Sequence, residues 1–198
     1  RMRVSDCFKT LEQARTYLGG FRSNKRFSKA GIGRTEHIYY HYYAYAITVV
    51  RIVDVALILV NETFRLGNPE RLCRLDFITE NSRVRSEGVD ELLKRLHSVT
   101  GPWAERRNLF IHRGETVGLE GEGMRRLSLF DGAIMLNIPG ASDSLAYTSR
   151  LYQEEVSRIC KEFDKTEKPL LDATEELLSG LLPIYKAWCK ALERASKG

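Results

Sequence analysis

YYAYAITVVRIVDVALILV, residues 42–60, is the most apolar stretch of this chain and the one that decides its fold. Its length is close to the ~20 residues that a membrane-spanning helix needs. Arg51 and Asp54 lie in its middle, however, and each would cost roughly 2.5–3.5 kcal/mol at the centre of a bilayer. Because they are three residues apart, the two side chains can pair on a helix. The stretch therefore predicts a central helix buried in a helical bundle, with no membrane partner.

Helical patterns flank this central helix on both sides. The central helix should extend over about residues 35–66, where Gly67-Asn68-Pro69 ends it. Pro102 should be the first residue of a helix, residues 81–88 a polar loop, and residues 165–169 a break. The sequence thus predicts a mainly α protein, a compact helical bundle. The further helices are expected over residues 5–18, 70–79, 89–99, 103–113, 142–165 and 170–195.

Residues 115–141 have a different character. Four glycines between residues 114 and 123 argue against a regular helix at the start of this insertion. The runs RLSLF and AIMLN then flank the turn pair Asp131-Gly132, which is a hairpin signal. We expect a small β-hairpin or irregular insertion here, and a helical segment is the competing interpretation.

Size and composition are those of one soluble globular domain over residues 1–198. The chain is 43% hydrophobic and 29% charged, with a net charge of +5. That charge permits a polyanionic partner but does not by itself indicate nucleic acid. The four cysteines form no CxxC pair, which favours reduced thiols in a cytoplasmic protein. No secretory signal is recognised.

A basic segment follows the first predicted helix. Residues 21–34 contain five lysines and arginines and no acidic residue. Lys25, Arg26 and Lys29 lie in its middle, between phenylalanines and glycines. Two interpretations are open: a flexible arm that touches RNA phosphates, or a solvated basic loop.

His112 is the histidine whose neighbours suggest chemistry. On a helix, Asn108 and His112 share a face, with Glu105 about one turn earlier. Apolar residues surround them, and the arginines at 106, 107 and 113 add guanidinium groups. An imidazole can move the 2′-OH proton of RNA or protonate the leaving oxygen. A guanidinium can hold the phosphate and stabilise its transition state. The sequence thus predicts a partly buried imidazole suited to phosphoryl chemistry.

Arg107-Asn108-Leu-Phe-Ile-His112 resembles the R-x4–6-H motif of the HEPN superfamily (higher eukaryotes and prokaryotes nucleotide-binding). The following Arg113-Gly114 is also similar to that family. The close resemblance covers about residues 103–114, and the remainder matches in helical character. The resemblance implies a helical domain that forms a homodimer and needs no cofactor. It also implies the activity of a metal-independent endoribonuclease of toxin–antitoxin or anti-phage systems. An antitoxin or another defence-system protein is then an expected partner.

The resemblance also implies roles for individual residues. His112 is expected to be the general acid/base, Arg107 the group that stabilises the phosphate, and Asn108 an orienting group. Cleavage would proceed by attack of the 2′-OH and leave a 2′,3′-cyclic phosphate. Further residues are expected to support the site or to contact RNA. The supporting residues are Arg113, Glu105, Asp54 and Arg51, and the RNA contacts are Arg106, Lys25, Arg26 and Lys29.

Helix geometry constrains this site. Arg107 and His112 are five residues apart, so they are about 140° apart on an ideal helix. Either Arg107 wraps around on its long side chain, or two copies of the chain form one site. We expect a twofold cleft with both residues from both chains.

On the long helix, a buried Asp54 could orient His112 or an arginine. The alternative is that Arg51 and Asp54 simply satisfy each other inside the bundle.

Three other interpretations stay open. The segment around His112 could be an ordinary amphipathic helix with solvated arginines. The chain could be a non-catalytic HEPN-like module that binds nucleotide or RNA, or that mediates dimerisation. Alternatively, His37 and His41, one helical turn apart beside Glu36, could be half of a metal site in a helical-bundle enzyme.

Overall fold

The computed structural model describes residues 3–22 and 24–195, and most of these residues are helical. No β-strand occurs in the described residues, so the expectation of a mainly α fold is confirmed. Two 3-10 turns, Glu70–Leu72 and Ala141–Ser144, separate some of the α-helices. The α-helices are α1 (Val4–Leu18), α2 (Lys25–Lys29), α3 (Arg34–Thr63), α4 (Leu75–Thr79), α5 (Ser82–Ser86), α6 (Val89–Arg113), α7 (Glu122–Met135) and α8 (Leu145–Ala195).

The predicted central helix is α3. By length and composition it could cross a membrane, but 61% of its apolar window is buried within the structure. Tyr42, Ile52 and Val60 are completely buried, as expected for a core helix. Arg51 and Asp54 are instead exposed, so the expectation of a buried carboxylate or a buried pair is wrong. An exposed position leaves both charges solvated and avoids the cost of burial.

The described chain divides into two compact units. One comprises residues 3–5, 50–102 and 166–195, and the other comprises residues 6–49 and 103–165. The Arg107–His112 segment belongs to the second unit, which therefore positions the candidate site.

The first unit is held by the close packing of α8. A Cβ on Gly180 would overlap Leu92, so glycine allows the helix backbone to approach that side chain. An ion pair between Arg95 and Glu176 adds a polar contact. The turn after α3 is closed by Asn61, whose side-chain amide exchanges two hydrogen bonds of 3.1 and 3.2 Å with the backbone of Asn68.

The second unit has an aromatic core. Phe163 of α8 is completely buried and stacks on Tyr45, with ring centroids 3.6 Å apart and planes within 2° of parallel. Trp103 of α6 and Tyr42 of α3 pack around the same ring at 5.8 and 6.0 Å. Aromatic rings of this kind bury large apolar areas. They fix the second half of α6 against α3 and α8 within this unit.

The predicted hairpin over residues 126–137 is wrong, and the competing helical interpretation is confirmed by α7. Asp131 is buried inside this helix and does not form a turn. Its carboxylate accepts hydrogen bonds from the Thr35 N–H (2.9 Å) and hydroxyl (3.2 Å), and its other oxygen lies 3.5 Å from Arg34. Asp131 therefore caps the first turn of α3, although it lies far from that turn in the sequence. A carboxylate is stabilised at a helix N-terminus.

Three predicted interruptions are also absent from the structure. Residues 82–86 form α5, capped by Asn81, whose side chain accepts from the Arg83 N–H. Helix α6 continues through Pro102, and α8 continues through Pro169 and Pro183. In both helices buried residues lie on either side of the predicted interruption, and their burial offsets the ~3 kcal/mol that proline costs. These residues are Leu93, Leu96, Thr100 and Trp103 in α6, and Ile159, Phe163, Leu170 and Ala173 in α8.

Candidate active site at the end of helix α6

Arg106 is fixed inside the second unit by three partners. Its Nη1 donates to the Tyr42 hydroxyl (2.7 Å) and to the Glu162 carboxylate, and its guanidinium lies 4.8 Å from the Trp103 ring centroid. Partial burial, the largest single effect, disfavours the charged form, but the hydrogen bonds and charge interactions with Glu162 and Tyr42 together outweigh it and raise the pKa of Arg106. An arginine engaged in this way is a structural group. The RNA contact expected for Arg106 does not fit this arrangement.

Arg107, the next residue, has a different environment. Its side chain is half-buried, and its Nε is buried without a hydrogen-bond partner. Within residues 3–22 and 24–195 it forms no ion pair with a carboxylate. A buried, unsatisfied N–H typically costs about 1–3 kcal/mol. The two adjacent arginines therefore differ: Arg106 is paired with a carboxylate, and Arg107 has no such partner among the described residues.

Asn108, Ile111 and His112 form one exposed face in the last turns of α6, which we call the Asn108–His112 face. All three are exposed, and Ile111 retains 51% of its accessible surface. The expectation that His112 is partly buried is therefore wrong for the single chain. Their spacing of three and four residues places them side by side on a helix. The face presents an amide, an imidazole and an apolar side chain together.

Gly114 ends α6 directly after this face. It has φ of +69°, a left-handed conformation in which glycine is favoured, and its N–H donates to the Phe110 carbonyl (2.9 Å). Phe110 stacks on Tyr43 of α3, with ring centroids 3.5 Å apart. The Tyr43 hydroxyl in turn donates to the Glu115 carbonyl (3.3 Å). The last turn of α6 and the segment after it are thus anchored on α3.

Tyr42 and Gly118 connect this segment to the Arg106 network. Gly118 has φ of +92° and approaches Tyr42 so closely that a Cβ would overlap the tyrosine hydroxyl. Arg158 of α8 donates to the Gly118 carbonyl (3.2 Å). Burial, and then the nearby Glu162 carboxylate, raise the pKa of Tyr42 to about 12, so this hydroxyl keeps its proton at neutral pH. Sequence reasoning missed both Tyr42 and Glu162, because only the fold brings them to Arg106.

The supporting residues expected from sequence are not gathered around His112 by the contacts that the structure describes. Glu105 is exposed. Arg113 is exposed as well, and it lies 3.8 Å from Glu115 in a weak surface ion pair. Arg51 and Asp54 are exposed on a part of α3 that belongs to the other unit.

The basic segment contains a short helix, α2. Its N-terminus is capped by Asn24, whose side chain accepts from the Phe27 N–H (2.9 Å). Lys25, Arg26 and Lys29 are all exposed on it. Contact with RNA phosphates stays a prediction for these three residues, and the segment that carries them is partly ordered as a helix.

His37 and His41 lie in an aromatic cluster at the start of α3. Their rings are in edge-to-face contact at 4.4 Å, and the Nε2 of His37 lies 2.8 Å from the Tyr17 carbonyl, as a hydrogen-bond donor. In the described part of the chain, no group of three or more histidine, cysteine or acidic residues is arranged to hold a metal. The contacts of this pair are those of a structural cluster.

Acidification should weaken the fold through His41. Burial, and then the neighbouring His37, lower the pKa of His41 from 6.5 to about 4. Between these values the unfolded chain binds a proton that the folded chain does not bind, so stability should fall as the pH falls from ~6.5 towards 4. His41→Gln should reduce this pH dependence, measured as urea midpoints at pH 7 and pH 5. His97→Gln, at an exposed position, is the control. An unchanged pH dependence in His41→Gln would contradict the expectation.

Comparison with known proteins gives one finding about this chain. The family model described as HEPN_Cthe2314-like HEPN matches residues 5–166. That range contains the whole of the second unit, residues 6–49 and 103–165, and therefore includes the Asn108–His112 face. No curated protein matches the chain. No solved structure matches it either.

Proposed function

This chain belongs to the Cthe2314-like HEPN family, and on that premise we propose that it is a metal-independent endoribonuclease with its active centre at Arg107, Asn108 and His112. The observation that carries the proposal is the contrast between neighbouring arginines. Arg106 is neutralised by Glu162, whereas Arg107 has no carboxylate partner in the described chain. A half-buried guanidinium without a counterion favours an anionic ligand, and a phosphate suits it.

The proposed chemistry needs two proton transfers, one from the attacking 2′-OH and one to the departing 5′ oxygen. His112 removes the proton of a ribose 2′-OH and then delivers that proton to the departing 5′ oxygen. The 2′ oxygen forms a bond to the adjacent phosphorus as the bond to the 5′ oxygen breaks. The products are a 2′,3′-cyclic phosphate and a free 5′-hydroxyl. Arg107 stabilises the charge on the pentavalent phosphorus, and Asn108 orients the phosphate or the imidazole.

Two copies of the chain are proposed to form the site. Arg107 and His112 lie about 140° apart around α6, so one chain does not direct both side chains straight at one phosphate. The exposed Ile111 between Asn108 and His112 favours contact of this face with a second copy. A twofold dimer is the commonest oligomer and presents the same face from both chains. We therefore propose a composite site at a homodimer interface.

The ribonuclease proposal predicts cleavage of single-stranded RNA in the presence of EDTA. The products should carry 2′,3′-cyclic phosphate and 5′-hydroxyl ends, because no water enters the first step. Mass spectrometry of the fragments identifies these ends directly. A requirement for added metal, or fragments with 5′-phosphates, would show that the proposed chemistry is wrong.

Mixing two inactive variants tests the composite site. Arg107→Ala and His112→Ala chains should each lack activity alone. When the two are mixed and allowed to exchange, about a quarter of wild-type activity should return, because half of the dimers are mixed and one of their two sites is intact. No recovery, with subunit exchange verified by differently tagged chains, would contradict a site that takes one residue from each chain.

A second function, RNA or nucleotide binding without turnover, is favoured by one observation. Within the described chain, His112 has no hydrogen-bond partner, whereas a catalytic histidine is usually oriented by a neighbouring group. Binding of RNA without cleavage by the purified dimer would support this function. In either case we propose a cytoplasmic role in toxin–antitoxin or anti-phage defence. Growth arrest on expression, relieved by Arg107→Ala, would support the catalytic form.

A further inference from the structure

A cleft of about 420 Å³ lies next to the end of α6 within the second unit. Its walls come from α3, from the segment after Gly114 and from α7, and they include Tyr39, Thr116, Glu120, Arg125 and Ser128. The volume falls within the ~300–1,000 Å³ typical of clefts for small ligands. No residue of the proposed active centre lines this cleft, so the catalytic proposal leaves it without a role.

The cleft is tied closely to the proposed catalytic residues. Thr116 follows His112 by four residues, so the chain separates them by at most about 14 Å. The Tyr43 stack on Phe110 and the Tyr43 hydrogen bond to Glu115 hold this connecting segment on α3. A strand of RNA whose phosphate lies at His112 can therefore reach the cleft within a few nucleotides.

The side chains that line the cleft have the chemistry of a nucleotide subsite. Tyr39 is half-buried and offers an aromatic ring on which a base can stack, whatever its identity. Arg125 is 75% exposed, and its ion pair with Glu122 is long, at 3.8 Å. Because this pair is weak, a phosphate can compete for the guanidinium. Thr116 and Ser128 add hydroxyl groups that can donate or accept.

Glu120 gives the cleft a preference for one kind of base. Its Oε2 accepts a hydrogen bond of 2.9 Å from the Gly118 N–H, which fixes the carboxylate in place. A carboxylate only accepts hydrogen bonds, so it favours a base edge that carries N–H donors. Guanine presents two adjacent donors on one edge, an imino N–H and an amino group, whereas uracil presents one.

We propose that this cleft binds one base of the RNA substrate next to the cleavage point, that Tyr39 stacks on it, and that Glu120 selects guanine. The proposal rests on RNA being the substrate of the Asn108–His112 face. It adds a specificity site that the catalytic residues do not supply.

The test measures binding separately from cleavage. The probes are two hexaribonucleotides with 2′-O-methyl groups, which block attack by the 2′ oxygen: one of uridine alone, and one with a single internal guanosine. The wild-type dimer should bind the guanosine probe about tenfold more tightly, a difference of about 1.4 kcal/mol. Glu120→Gln keeps an acceptor for Gly118 and should lose this preference. Tyr39→Ala should weaken the binding of both probes.

Matched controls come from residues outside the cleft. Tyr40 is 72% exposed, and Glu154 is an exposed carboxylate of α8. Neither residue lines the cleft, so Tyr40→Ala and Glu154→Gln should leave both affinities unchanged. Equal affinity for the two probes, or a guanosine preference that survives in Glu120→Gln, would overturn the proposal. Cleavage of unmodified RNA without base preference would refute this subsite alone. A guanosine preference without cleavage of any RNA would refute the ribonuclease and leave the subsite standing.

Discussion

Replacing His112 with alanine is expected to lower the rate of RNA cleavage by roughly 10²–10⁴-fold, the usual contribution of a general acid or base. The thermal stability of the chain should change little, because His112 is exposed and surface substitutions generally stay within about 0.5 kcal/mol. Single-turnover rates at saturating protein separate this chemical effect from weaker RNA binding. Loss of rate at unchanged RNA affinity is the expected pattern.

Two controls make this result specific. His97→Ala removes an exposed imidazole from α6 outside the proposed site, and it should leave the rate unchanged. Free imidazole added to His112→Ala should restore part of the activity if the missing group is a proton carrier. Undiminished cleavage by His112→Ala would remove this residue from the mechanism, whatever the other variants do.

Substitution of the two neighbouring arginines is expected to have opposite consequences. Arg106→Ala leaves Glu162 without its partner and should destabilise the fold by about 2 kcal/mol. We discount the full cost of a buried pair because the two side chains are 24% and 26% exposed. Arg107→Ala removes a charge that has no carboxylate partner in the described part of the chain, and it should leave stability unchanged or slightly higher. Its cleavage rate should instead fall by about 10²–10³-fold.

Thermal unfolding and cleavage assays on the same preparations check this contrast. Arg106→Ala should melt roughly 5 °C below the wild type and retain activity per folded molecule. Arg113→Ala is the matched control, since Arg113 is exposed and only weakly paired with Glu115. A large loss of stability in Arg107→Ala would mean that this arginine is a structural residue. A large loss of activity in folded Arg106→Ala would mean that the two arginines act together.

The fold class and the long helices could be read from the sequence because their signals are local. Apolar periodicity predicted the first and last residues of α1 and α3 to within a few positions. The hairpin prediction was wrong because Asp131-Gly132 has the local pattern of a turn, while Asp131 caps Thr35, 96 positions away in the chain. The breaks expected at Pro102 and Pro169 were wrong for the same kind of reason. Burial of the residues on either side of each proline outweighs the local cost of proline, and burial depends on the whole fold.

The candidate site was predictable in part. The spacing of Arg107, Asn108 and His112 is visible in the sequence, and it suggested the HEPN family. The family match over residues 5–166 confirms that family. Sequence alone could not distinguish Arg106 from Arg107, because the difference lies in Glu162 and Tyr42, which come from other helices. The cleft beside Thr116 was also invisible, since three separate segments form it.

The exposed Ile111 between Asn108 and His112 has a consequence for how such a protein would act in a cell. A site completed only by a second chain follows mass action: well below the dissociation constant, the amount of dimer grows with the square of the chain concentration. A twofold rise in synthesis then gives about a fourfold rise in activity. If the chain is the dimeric ribonuclease proposed above, low expression would be nearly harmless to a host, and a modest increase would be costly. The apolar side chain at position 111, through the affinity that it gives the dimer, would set that threshold.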